Sequence, residues 1–125
     1  MTDEERKAAG MRVRREVLGD AHVDRAVANT TEFTADFQDF ITRYAWGELW
    51  ARPGLSRPQR SMVTMALLAG LGRHEELAMH VRAALRNGVT AAEIGEVLLH
   101  VAVYAGVPAA NHAFVIADKT IKESS

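Results

Sequence analysis

At three points just ahead of a helical pattern this chain sets a Ser or Thr three residues before a Glu or Gln: Thr2 and Glu5, Ser56 and Gln59, Thr90 and Glu93. At that spacing the hydroxyl accepts the third residue's backbone N–H while the longer side chain reaches back, so each pair marks a helix start. After these starts the apolar residues recur at intervals of three and four, and no alternating strand pattern occurs. The chain is therefore predicted to be all-α, with about six helices. Its 125 residues are read as one domain, residues 1–125, long enough to bury a core.

The first box opens a charged helix over residues 3–18, ended by Gly19. MRVRREVLG offers few apolar positions, which suits a helix lying on a surface or on a neighbouring subunit. Residues 22–29 read as a short second helix, with His22 towards solvent. Residues 31–50 carry Phe33, Phe37, Phe40, Ile41 and Tyr44 at helical spacing, an aromatic stripe expected to face the core. Trp46 and Trp50 extend it towards a turn at Pro53 and Gly54. The second box, with Pro58 in its first turn, starts SMVTMALLAGLG, which is apolar almost all round and expected to be buried on every side. Gly70 and Gly72 break it. The third box starts a helix with Ile94, Val97, Leu98, Val101, Ala102 and Ala105 on one face, and Pro108 opens the last helix. Leu99, Val103 and Tyr104 fall off that face. Surplus apolar surface in a small helical chain predicts a homo-oligomer.

Between Gly72 and Gly88 lies the stretch richest in chemistry, HEELAMHVRAALRN. At about 100° per residue, Leu77, Val81, Ala84 and Leu85 share one face and Glu75, Arg82 and Arg86 lie opposite. Glu76 and His80, four apart, stack on one flank beside the apolar stripe. Such a pair is either a half-buried salt bridge that fixes packing or a carboxylate–imidazole couple able to exchange protons with a bound molecule. The helix start at Arg73 and His74 offers unpaired backbone N–H groups to an anion.

Charge and composition remove several classes. Fifteen Lys and Arg against sixteen Asp and Glu give a net charge of −1, with no basic excess for nucleic acid and no basic amphipathic helix for a membrane surface. With no cysteine there is no disulfide, thiol redox couple, thiolate metal site or cysteine nucleophile. Of the five histidines, neither His74 nor His80 has a second four residues on, where Ala78 and Ala84 stand instead, so no metal site is expected. The charged N-terminus has no apolar signal-peptide core and no apolar run reaches membrane-spanning length. A soluble cytoplasmic protein is the expectation.

Three stretches, GMRVRREVLGDAHVDRA, FQDFITRYAWGELWARPGL and HVRAALRNGVTAAEIGEVLLHVAVYAGVPAANHAF, resemble the carboxymuconolactone decarboxylase family over nearly the whole chain. The C-terminal half is similar to the wider alkylhydroperoxidase-D-like superfamily, whose peroxidase branch uses a glutamate followed by C-x-x-C-x-x-x-H. Aligned on His80, the two cysteine positions are Arg73 and Glu76 and the glutamate position is Ser61. A thiol peroxidase needs a thiolate, so that activity is excluded on chemistry.

The resemblance implies an alkylhydroperoxidase-D-like helical fold assembled as a trimer or hexamer. It also implies decarboxylation of 4-carboxymuconolactone, a small lactone dicarboxylate, to 3-oxoadipate enol-lactone in protocatechuate breakdown. The lost carboxylate leaves its electrons on a carbon conjugated to the lactone carbonyl, so the substrate is its own electron sink and no cofactor is implied. The protein must hold two anions, stabilise an oxyanion and protonate carbon. His80, Glu76 and His74 are the acid–base candidates and Arg73 the carboxylate clamp. Trp46 and Tyr104 either line the pocket or pack the core. Action on another small lactone or acid, or a non-catalytic oligomeric binding protein, are the alternatives.

Overall fold

The computed structural model describes all of residues 1–125, and every regular element is helical. The chain divides into two compact units, Met1–Leu55 and Ser56–Ser125.

The first unit holds α1 (Asp3–Leu18), α2 (Asp20–Ala28) and α3 (Ala35–Ile41), the last running on as a π-helical segment, Thr42–Leu49. The Thr2 hydroxyl caps α1 by accepting the Glu5 N–H at 3.1 Å. Gly19, at φ 91°, turns the chain into α2, and Arg15 ties the two helices by reaching Asp20 and Asp24 at 3.1 and 2.9 Å. In the π segment the backbone bond skips one residue further than in an α-helix, and it closes with the Trp50 N–H donating to Ala45 O at 3.0 Å. α1 packs along this segment at Gly10 and Gly47. A Cβ on Gly10 would run into the Thr42 carbonyl oxygen, and one on Gly47 would lie 2.5 Å from the Arg6 carbonyl oxygen.

The aromatic stripe corrects the expectation from the sequence. Phe33, at 94% exposed, stands in solvent, and Phe37, Phe40 and Tyr44 are exposed as well. Trp46 and Trp50 are the rings buried instead, stacked with centroids 5.2 Å apart. The first turn of the expected helix over 31–50 is taken by Thr31 and Thr34, whose side chains and backbone close a local turn that competes with helix.

The second unit holds α4 (Arg57–Leu71), α5 (His74–Arg86), α6 (Ala91–Tyr104) and α7 (Val107–Glu123). There are thus seven α-helices, close to the about six expected. Both expected capping boxes here form in full, at Ser56 with Gln59 and at Thr90 with Glu93. Met65, Leu77, Val81, Ile94, Leu98 and Ala113 lie in one core made by all four helices. α4 is not buried all round: Val63, Leu67 and Leu71 form an exposed apolar edge. Nor does Gly70 break it, since the helix ends at Gly72, whose left-handed φ of 72° costs a glycine little.

Candidate active site

Leu77, Val81 and Ala84 are fully buried, and they seat α5 against α4 and α7. That register carries His80 inward with them, to 7% exposure. It leaves Glu76, one turn earlier on the same flank, in solvent. The boundary of the core passes between the two residues, so the expected edge-of-core pair is divided into a buried imidazole and an exposed carboxylate.

The start of α5 gathers the other candidates. Arg73 is its N-cap residue, with φ −87° and ψ 77°, and makes no capping hydrogen bond through its side chain. His74 follows, exposed, with its ring stacked on that of His112 from α7 at 5.2 Å between centroids and 28° between planes. Arg73, His74 and Glu76 thus share one exposed turn whose first N–H groups carry the positive end of the helix dipole, and His80 lies one turn deeper. A helix start of this kind attracts anions.

Tyr104 ends α6, 81% exposed, and stacks on His100 one turn back at 5.0 Å. Both rings line a groove of about 290 Å³ together with Leu67 and Leu71 of α4. Trp46 belongs to the N-terminal unit, where it packs on Trp50. Sequence reading passed over His112, because nothing local pairs it with His74, and over His100, although its i, i+4 spacing to Tyr104 was legible. Ser61, at the relay-glutamate position, is fully buried and accepts a hydrogen bond from the Asn87 amide at 3.1 Å, tying the end of α5 to α4. No group of three His, Cys, Asp or Glu side chains converges as a metal site, and no helix is long and apolar enough to cross a membrane.

The chain is wholly helical and carries no thiol, and its candidate groups on α5 are imidazoles, a carboxylate and a guanidinium. It belongs to the carboxymuconolactone decarboxylase family, whose model matches residues 35–119. It is 52% identical over 123 residues to a 4-carboxymuconolactone decarboxylase of Acinetobacter baylyi, an alignment covering 98% of this chain and 92% of that one. It is 46% identical over 114 residues to a nitrosuccinic acid decarboxylase of Metarhizium robertsii, covering 91% and 80%. A 4-carboxymuconolactone decarboxylase sequence from Pseudomonas putida matches at 52% over 48 residues, 38% of this chain and all of that sequence.

Proposed function

We propose that this chain is a carboxy-lyase that converts 4-carboxymuconolactone to 3-oxoadipate enol-lactone in protocatechuate degradation. The observation that carries the reading is 52% identity across 98% of the chain to a relative of that name. Residues 1–125 act as one functional domain on this reading, since the family match runs across residue 55 from one compact unit into the other.

In this reaction the C–CO₂⁻ bond breaks, and its electron pair passes through the ring double bond onto the lactone carbonyl oxygen. The resulting dienolate then takes a proton on the carbon next to that carbonyl. Arg73 and the uncapped start of α5 hold a carboxylate. His80, shielded from water, supplies the proton or the hydrogen bond to the oxyanion. His74, braced by His112, and Glu76, open to solvent, serve the proton traffic at the mouth. On this reading Tyr104 lines the substrate's surroundings. The electron sink lies in the substrate, so the chemistry calls for no cofactor.

The exposed apolar residues Leu67, Leu71, Val103 and Tyr104 in one unit and Phe33 in the other support assembly as a homo-oligomer; a trimer or hexamer and a cytoplasmic location are part of the proposal by likeness to the family. The fungal relative favours a second reading, action on another small acid whose departing carboxylate leaves its electrons on a conjugated group. The discriminating experiment follows consumption of each acid by the purified protein without added metal or cofactor. Turnover of 4-carboxymuconolactone at roughly 1–10³ s⁻¹, with nitrosuccinate far slower, is expected. The reverse preference would move the assignment to the second reading.

A further inference from the structure

The N-terminal unit holds a buried cation that the chain does not neutralise. A cavity of about 380 Å³ is bordered by α1, α2 and α3, its lining including Lys7, Met11, Arg14, Thr30, Gln38 and Asp39. The one carboxylate there, Asp39, is occupied by Lys7 at 2.8 Å and by Arg43 at 3.1 Å. Arg14 is only 6% exposed. Its Nη1 donates to the neutral amide oxygen of Gln38 at 3.1 Å, and its Nε is buried with no partner. Arg15, the next residue, directs its own charge to Asp20 and Asp24.

A guanidinium withdrawn from water costs more than one amide hydrogen bond returns. Burial, with Arg15 beside it, pulls the Arg14 pKa below its ordinary value, yet arginine stays charged at any ordinary pH. Beyond the Gln38 amide the Arg14 guanidinium has no acidic partner, and a carboxylate is the group it pairs with most strongly. Met11, Val27 and Ala35 on the same lining suit a short carbon skeleton. We infer that this cavity is a binding site for a small carboxylic acid, whose carboxylate is the counter-ion of Arg14. None of the lining residues has a role in the reaction proposed above, so the inference stands independently of it.

The test is thermal unfolding of the full chain at fixed ionic strength, with sodium succinate, acetate, phosphate or chloride. Succinate and acetate are expected to raise the melting temperature by about 4 °C or more at a hundredfold excess over Kd, and chloride and phosphate are not. Gln38→Glu places a carboxylate against Arg14 from within. It is expected to melt higher than the wild type in chloride and to lose the response to succinate. Arg14→Gln, where it folds, is expected to lose the response as well. An undiminished succinate response in Gln38→Glu would overturn the inference, as would equal responses to chloride and succinate. A phosphate response matching that of succinate would overturn the assignment to carboxylates.

Discussion

Replacing Gly10 by alanine tests how tightly α1 lies on the π-helical segment. The added methyl would overlap the Thr42 carbonyl oxygen and lie 2.9 Å from Gly47 N and 3.0 Å from Thr42 C. All three atoms are backbone, so no side chain can rotate away, and α1 must withdraw from the segment it packs along. Overpacking of this kind costs about 1–3 kcal/mol and occasionally more, against a gain of roughly 0.5–1 kcal/mol from exchanging glycine for alanine inside a helix. With a backbone obstacle the upper part of the range applies, so a net loss of about 2 kcal/mol is expected. Gly95→Ala is the matched control: it lies inside α6 with nothing within 4 Å of the new Cβ, and stabilisation by about 0.5–1 kcal/mol is expected. Urea unfolding followed by tryptophan fluorescence reads the Gly10 unit directly, because Trp46 and Trp50 are the protein's two tryptophans and both belong to it, while circular dichroism reads Gly95→Ala. A Gly10→Ala protein as stable as the wild type would refute the close crossing.

Acid should loosen the same unit. The hydrogen bond from Lys7, with Arg43 adding to it, holds the Asp39 carboxyl below its ordinary range. The folded state therefore binds that proton less readily than the unfolded chain. The stabilisation is complete above the unfolded value near 3.9 and drains away as pH falls through the lower folded one. Asp39→Asn should melt slightly below the wild type at pH 6, with the gap closing below about pH 4; a gap unchanged at pH 3 would contradict the pairing. Light scattering should give a mass at least about three times the 13.7 kDa chain, as the exposed apolar edges require, and a monomer at micromolar concentration would rule out the assembly.

The helix starts were legible because capping is local chemistry: Thr2, Ser56 and Thr90 each signal within four residues, and all three hydroxyls cap, with the reciprocal bond formed at Ser56 and Thr90. The face of α5 was legible too, since Leu77, Val81 and Ala84 repeat at helical spacing and are all fully buried. Periodicity stops short of saying what a face meets. Phe33, Phe37, Phe40 and Tyr44 keep their helical spacing yet stand exposed. The π segment left no trace because it differs from an α-helix by one residue in its hydrogen-bond register, not in residue type. At the site, spacing set Glu76 and His80 on one flank but could not locate the boundary of the core between them. The His74–His112 stack joins α5 to α7, and no local pattern encodes a contact between residues so far apart in sequence.

The most direct test of the proposed chemistry is the kcat of His80→Ala on 4-carboxymuconolactone, measured beside its circular dichroism and assembly state. A shielded proton donor accounts for roughly 10²–10⁴-fold of a rate. The account therefore predicts a fall of at least about a hundredfold in a protein that keeps its helices and its mass. Near-normal turnover by the folded fraction of a destabilised His80→Ala protein would contradict it, leaving His80 a packing residue and moving the chemistry to Arg73 and His74 at the start of α5.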